Sequence, residues 1–274
     1  MNELSEGHIV RGYDVDLAAL RIKLLEMGGL VLDQVQVAVR ALAGGDAAMA
    51  RAVLARETAV NDYDVRIEED TIALIARRQP MGSDLRVLIS ITRAVADLER
   101  VGDEAKKIAR YAAEENMDHP RPALRKLARD ARNMSRLALA MLRDALDAFD
   151  RMDPRAAADI SRRDAELNAE FHAALRHQVS VAMEDPRRLQ ATVSAVFVLK
   201  SLERIGDHAK GIARHVVYLV QGRDVRHEDT AVLTGLEESA PGGGSSSDGS
   251  PPEAHDGERP ADDAQRGDSR RAAS

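Results

Sequence analysis

Cysteine and tryptophan are both absent from this sequence of 274 residues, and aromatic residues make up only 3% of it. Without cysteine the chain makes neither disulfide bonds nor thiolate metal sites, which fits a reducing compartment. A core so poor in aromatic residues has to be built from aliphatic side chains and methionine. Close-packed helices accommodate such a core better than a β-sandwich, because strands favour aromatic and β-branched residues.

The sequence also lacks long apolar runs, a leader-like N-terminus and a basic face. No run approaches the roughly 20 apolar residues that span a bilayer, and residues 1–17 lack the basic-then-apolar order of a signal peptide. The net charge is −7, with acidic and basic residues interspersed, so the basic face typical of a nucleic-acid binder is missing. We therefore expect a soluble, cytoplasmic protein that does not bind nucleic acid.

Proline and glycine breaks divide the chain into six segments with helical periodicity. In the first segment, about 14–43, and the fourth, about 122–151, apolar residues recur at steps of three and four, as in the helices of a bundle. These apolar stripes are Leu17, Leu20, Leu24, Met27, Val31, Val35, Ala38 and Leu42, and then Leu124, Leu127, Ala131, Met134, Ala138, Met141, Ala145 and Ala148. Residues that often begin helices stand at several breaks: Asp46, Ser83, Asp153–Pro154 and Asp185–Pro186.

The strongest internal signal is a repeat. The motif LERVGDEAKKIAR at 98–110 returns as LERIGDHAKGIAR at 202–214, with ten identities in thirteen positions at an offset of 104 residues. Each copy holds a glycine in mid-helix, Gly102 and Gly206, where glycine costs up to about 1 kcal/mol relative to alanine. Close approach of a neighbouring helix or access to a site would explain why both copies keep it.

A weaker upstream match extends the repeat to a whole unit of three helices. At an offset of 107 residues it pairs three residues of one half with three of the other: Arg56, Glu57 and Asn61 with Arg163, Asp164 and Asn168. The difference of three residues falls in a connection between helices, where insertions are tolerated best. The sequence therefore predicts an all-α protein, a tandem repeat of two antiparallel three-helix bundles, at 1–117 and 118–238.

The last segment, 239–274, has a different character. Its only apolar residues are alanines, amid glycine, serine, proline and charged residues. Such a composition buries too little surface to offset the entropy cost of ordering. We predict a disordered C-terminal tail.

Paired carboxylates in the repeated motif are the candidate site. Glu99 and Asp103 are spaced i, i+4, as are Glu203 and Asp207, so each pair shares one helix face. On a helical wheel, Glu99 and Asp103 lie just beside the buried stripe, at a border that a neighbouring helix can reach.

The second helix of each unit is the expected neighbour, since it carries Glu57 and Asn61 in one half and Asp164 and Asn168 in the other. Together, two such helices would present three carboxylates and an amide oxygen. Like charges held that close repel unless a cation intervenes, and oxygen ligands suit Mg²⁺, Mn²⁺, Ca²⁺ or iron. Zinc is less expected, because cysteine is absent and few histidines lie nearby.

The spacing alone leaves an alternative open, which is a solvated acidic face crossed by ion pairs to neighbouring lysines and arginines. Nor does the sequence contain a phosphate-binding loop, a nucleophile elbow, H-E-x-x-H, or the E-x-x-H of di-iron bundles. A metal-dependent enzyme or a metal-buffering protein therefore remains an alternative without a motif of its own, and we expect no enzymatic activity.

With these motifs identified, the chain resembles the PhoU family of accessory regulators of the phosphate-specific transport system. The likeness covers about residues 6–230. The segments that carry it are HIVRGYD, MGGLV, RRQPMGSDLR, both LER[VI]GD motifs, VAMEDPRR and QGRDVRHED. The tail has no counterpart in the usual pattern of the family.

This resemblance implies two three-helix bundles side by side and acidic motifs that bind metal clusters, with Fe, Zn, Mg or Mn as the metal. Carried over by position, the ligands would be Glu57, Asn61, Glu99, Asp103, Asp164, Asn168, Glu203 and Asp207. It also implies a homodimer and a negative regulator of phosphate uptake and of the phosphate regulon. Such a regulator links the phosphate ABC transporter ATPase to a sensor histidine kinase, and meets the membrane only through these partners.

Overall fold

A computed structural model describes the backbone of residues 3–114 and 121–225, and the side chains of 12–114 and 126–225. Over these ranges the chain forms α-helices and no strand. The helices are α1 (Glu3–Gly44), α2 (Ala47–Leu54), α3 (Glu57–Arg78), α4 (Ser83–Glu114), α5 (Arg121–Arg151), α6 (Ala156–Glu184) and α7 (Leu189–Gln221), the last preceded by a 3₁₀ turn, Pro186–Arg188. The predicted tail, 239–274, lies outside the described residues.

Each half of the chain forms a bundle of three long helices, which confirms the repeat. In the first half α1, α3 and α4 pack on one another, and in the second half α5, α6 and α7 do the same. Helix α1 also packs on α5, and α4 packs on α7, so α1, α4, α7 and α5 close a ring that α3 and α6 flank. The described helices belong to one compact unit, and the division at 117/118 into separate domains stays a prediction.

The predicted apolar stripes form the core. From Leu20 to Leu42 the predicted residues of α1 are at most 2% exposed, and from Leu127 to Ala148 those of α5 are at most 3% exposed. Only Leu17, half-buried, and Leu124, outside the described side chains, depart from this pattern. Long helices with one continuous apolar face account for such complete burial.

Helix boundaries differ from the predicted ones at several points. Helix α1 begins at Glu3, well before residue 14, and a short extra helix, α2, lies between the first two predicted segments. Asp46 caps α2 as predicted, since its side chain accepts a hydrogen bond from the backbone N–H of Met49 at 2.9 Å. Gly45, with φ of +68°, provides the reversal that makes this restart possible.

The two Asp–Pro starts are only partly correct. Asp185 caps a 3₁₀ turn rather than α7 itself, because its side chain accepts from the N–H of Arg187. Asp153 closes a turn by accepting from the N–H of Arg155 at 3.0 Å, and α6 begins only at Ala156. Helix α4 begins at Ser83, after Gly82.

Both mid-helix glycines allow the second helix of their unit to approach closely. A Cβ on Gly102 would lie 3.3 Å from a methyl group of Val60 on α3, and one on Gly206 would overlap Leu167 on α6. Val60 and Leu167 are equivalent positions of the repeat. The carboxylates beside each glycine are therefore held close to the helix that carries their predicted partners. No helix within the described ranges has the length and apolar character needed to cross a membrane.

Candidate metal centre

The four predicted ligands of the first half line one small cavity between α3 and α4. Glu57 and Asn61 come from α3, and Glu99 and Asp103 come from α4. The cavity volume is about 10 Å³, close to the space that a single water molecule requires. The structure therefore brings this predicted set together, at the border of the core where the helical wheel predicted it.

A lysine of the repeated motif completes this cavity. The Nζ of Lys106 forms an ion pair with Glu57 and lies 3.9 Å from Asp103 Oδ1. The alternative of an acidic face crossed by ion pairs thus describes part of the arrangement, because the amine partly neutralises the carboxylates. Lys106 lies within the identical part of the motif and is one of the basic residues expected to form ion pairs across this face, but the spacing did not identify Glu57 as its partner.

Glu99 lies in an environment that disfavours its charge. Burial raises its pKa, and the nearby carboxylates of Asp103 and Asp64 raise it further. Arg100 and His208 oppose the rise without cancelling it. A site that raises the pKa of a carboxyl group in this way is stabilised by any additional cation.

In the second half the carboxylates of Asp164, Glu203 and Asp207 influence one another electrostatically. Asp164 on α6 and Glu203 on α7 are buried, with 5% and 8% exposure. Asp207 is exposed as a residue, but its partly desolvated carboxyl group lies near both. Burial, Glu203 and Asp164 all raise the pKa of Asp207, against opposing effects of Lys200 and His208. Asn168 lies one helical turn beyond Asp164 and is half-buried, so it stays a predicted ligand.

Lysines counter the carboxylates here as well. Lys210, the equivalent of Lys106, donates to Asp164 Oδ2 at 2.6 Å, and Lys200 forms an ion pair with Glu203. The other oxygen of Asp164, Oδ1, is buried without a hydrogen-bond partner. An unpartnered buried carboxylate oxygen is costly, and a cation or a water molecule would satisfy it.

The donor atoms at both sites fit a hard cation, but the carboxylates do not converge. Within 12–114 and 126–225, no three His, Asp or Glu side chains come close enough together to hold a metal ion. Positive charge at these sites comes from two amines: Lys106 pairs with Glu57 and, at 3.9 Å, with Asp103, and Lys210 pairs with Asp164. A metal ion would supply that charge instead, held by the same oxygen atoms, once the lysines had released them. The eight ligands remain predictions.

A cluster that the sequence analysis missed joins the two halves where α4 meets α7. Asp97 lies 3.0 Å from the Nδ1 of His208 and 2.9 Å from the Nε2 of His215. Burial raises the pKa of Asp97, but the hydrogen bonds from His208 and His215 outweigh burial and lower it overall. A Cβ on Gly211 would lie 2.8 Å from the Asp97 carboxylate, so glycine is needed for this approach.

A signal for this cluster was present in the sequence. Ser201 is the repeat equivalent of Asp97, and Glu104 and Tyr111 are the equivalents of His208 and His215. All three members of the cluster are therefore departures from the repeat. His208, which directly follows Asp207 in the motif, pairs with Asp97. Departures from a repeat that lie on two neighbouring helices therefore mark a contact between the two halves.

Comparison with known proteins gives consistent matches along both halves. The model of the PhoU domain matches residues 24–112 and 131–216. A phosphate-specific transport system accessory protein PhoU homolog of Pseudomonas putida is 43% identical over 222 residues, which are 80% of this chain and 85% of the relative. The PhoU accessory protein of Escherichia coli is 36% identical over 220 residues, covering 80% and 90% of the two chains.

Solved structures agree with these matches. The crystal structure of PhoU from Pseudomonas aeruginosa is 40% identical and superposes with a TM-score of 0.69, covering 77% of this chain and all of that one. The phosphate transport system regulatory protein PhoU from Streptococcus pneumoniae, at 30% identity, also gives 0.69, over 78% of this chain and 99% of the other. With two segments that match the family model, a shared fold and this level of identity, the chain belongs to the PhoU family.

Proposed function

We propose that this protein is a cytoplasmic negative regulator of phosphate uptake and of the phosphate regulon. In this role it links the phosphate ABC transporter to its sensor histidine kinase, restraining both uptake and signalling when phosphate is plentiful. The observation that carries the proposal is the identity of 36–43% over 80% of the chain with accessory proteins of the phosphate-specific transport system. The description of the Streptococcus pneumoniae relative as a regulatory protein supports the same role.

Co-purification tests the partners. The full chain, tagged and expressed at its normal level, is isolated from phosphate-replete and phosphate-starved cells. We expect the transporter ATPase and the kinase to co-purify, more strongly from replete cells. Absence of both from each preparation contradicts the proposed link.

We further propose that the duplicated carboxylate sites bind divalent or iron cations, with Mg, Mn, Fe and Zn as candidates. The arguments are the oxygen-rich donor set in each half, the unpartnered Asp164 Oδ1 and the raised pKa values of Glu99 and Asp207. Each feature lowers the free energy of a bound cation relative to the empty site. Binding requires Lys106 and Lys210 to withdraw from their carboxylates.

Metal analysis tests this part separately. Protein purified without chelator is analysed for metal content and titrated with Mn²⁺ and Zn²⁺. We expect replacement of Glu99 and Glu203 by glutamine to weaken binding tenfold or more, whereas the exposed Glu68→Gln leaves it unchanged. If only trace metal co-purifies and none binds on titration, the metal sites should be dropped.

We propose a homodimer as the working form, on the family resemblance, and light scattering of the purified chain tests it. A measured molar mass equal to that of one chain, at micromolar concentration, contradicts the dimer. The alternatives of a metal-dependent enzyme and of a metal buffer are not favoured, because the named relatives are accessory proteins of a transport system.

A further inference from the structure

An apolar groove opens between the end of α6 and the start of α7, away from the carboxylate sites. Its volume is about 510 Å³, and its wall is almost wholly apolar. Three of its side chains are largely exposed, namely Met183 at 80%, Phe197 at 69% and Leu189 at 60%. A cluster of large apolar side chains open to water on a folded domain is typical of an interaction site.

A second groove, with basic walls, lies on the other side of Phe197, between α7 and the end of α4. It also has a volume of about 510 Å³, and Lys107, Arg110, Lys200 and Arg204 line it together with Glu104 and Glu114. The side chain of Glu104 is only 3% exposed and pairs with both Lys107, at 2.8 Å, and Arg204, at 3.2 Å. One buried carboxylate therefore serves two cations, and the open surface of this groove carries an excess of positive charge.

The repeat indicates that the fold does not require this exposed aromatic ring. At the position equivalent to Phe197 the first half has Arg93, whose guanidinium lies 5.0 Å from the ring of Tyr218. The equivalent of Leu189 is Leu85, which is 37% exposed rather than 60%. At these two positions the second half therefore exposes more apolar surface than the first. We refer to Met183, Leu189, Phe197, Lys107 and Arg110 as the α7 face.

We propose that the α7 face docks an amphipathic helix of a partner protein. The apolar side of that helix lies in the groove beside Phe197, and acidic side chains along its flank face Lys107 and Arg110. Docking of a helix into a groove needs apolar anchors at steps of three and four, and complementary charges at the rim fix its orientation. A regulator that links a transporter to a kinase needs a surface for its partners, so this proposal rests on the proposed function.

A second copy of this chain fits the α7 face poorly. A twofold dimer through this face places the same patch on both sides of the interface, so the excess positive charge around Lys107 and Arg110 would lie against the same excess on the other copy. Like charges placed face to face cost free energy. The charge of the face therefore selects an acidic partner rather than itself.

Photo-crosslinking in cells tests the proposal. The photoreactive amino acid p-benzoylphenylalanine replaces Phe197 in the full chain, and in a second strain it replaces Ile72, which is 60% exposed on the first half. Mass spectrometry identifies the attached peptide. We expect position 197, but not position 72, to give an adduct with a helical segment that combines apolar and acidic residues. Arg110→Glu should lower the yield about tenfold, whereas Arg51→Glu, on the exposed side of α2, should not.

Three results overturn the proposal: equal yields at 197 and 72, an adduct with a second copy or with lipid, or a yield unaffected by Arg110→Glu. The identity of the adduct separates this proposal from the proposed function. Adducts with the transporter ATPase or the kinase support both. An adduct with an acidic amphipathic helix of another protein supports the α7 face and contradicts the proposed partners.

Discussion

Replacing Asp97 by alanine should destabilise the protein by breaking the contact between its two halves. The carboxylate accepts from His208 at 3.0 Å and from His215 at 2.9 Å, and both histidines are on α7. Side-chain exposure is 14% for Asp97, 13% for His208 and 8% for His215. The three groups are thus largely removed from water, which strengthens the hydrogen bonds and makes their loss costly.

The expected loss is about 3 kcal/mol. A hydrogen bond to a charged group contributes about 1.5–3 kcal/mol, and two of them would give at most about 6 kcal/mol. Removing the carboxylate also relieves its own desolvation, which reduces the net loss. Against this, His215 already has an unpartnered Nδ1, and the variant would leave its Nε2 without a partner as well.

Urea unfolding followed by circular dichroism measures the effect. Ser201→Ala, at the equivalent position of the other half, is the matched control and should change the free energy of unfolding by less than about 1 kcal/mol. The folded state lowers the pKa of Asp97 from its ordinary 3.8, so the ionised carboxylate stabilises the fold fully above that pH. The difference between wild type and Asp97→Ala should therefore shrink as the pH falls through the lowered pKa. A loss of less than about 1 kcal/mol at pH 7, no larger than that of the control, would refute the reasoning.

Three further predictions concern the repeated motif. Gly206→Ala should lower the free energy of unfolding in urea by about 1–3 kcal/mol, because the new methyl group overlaps Leu167. Gly102→Ala should change it by less than about 1 kcal/mol, since Val60 has to move by only a few tenths of an ångström to accommodate the methyl group. Lys210→Met should raise the affinity for Mn²⁺ in calorimetric titration, because the amine no longer competes for Asp164. The same variant should lower the melting temperature of the metal-free protein. An unchanged affinity would contradict the proposal that a metal ion replaces the lysine. Glu99 on α4 and Asp207 on α7 have raised pKa values, so protons should begin to compete with Mn²⁺ at a higher pH than they do at ordinary carboxylates. An affinity for Mn²⁺ that does not change between pH 7 and pH 4 would contradict this.

The sequence predicted the core of this protein well, because burial follows directly from helical periodicity. Residues such as Leu24, Met27 and Met134 recur at steps that leave only one face for packing, and all are at most 1% exposed. The repeat then identified the three-helix unit without any knowledge of packing. The same periodicity missed α2, because two short turns between two long helices contribute too few residues to form a pattern.

Side-chain partners were harder to predict than burial. The spacing correctly predicted that Glu99 and Asp103 lie beside the core and next to the helix now labelled α3. There they share a cavity with Glu57 and Asn61. The spacing did not reveal that Lys106 would pair with Glu57, because lysine reaches equally well into solvent and into a site. Asp97 and His215 lie 118 residues apart, so their contact depends on how α4 crosses α7.

Phosphate uptake in cells that lack this protein tests the central claim most directly. Radiolabelled phosphate uptake is measured in phosphate-replete medium, in the deletion strain and in the same strain that carries the gene on a plasmid. We expect uptake and alkaline phosphatase expression to stay high in the deletion strain despite abundant phosphate, and the plasmid to restore repression. Uptake and phosphatase expression that are unchanged by the deletion would contradict it.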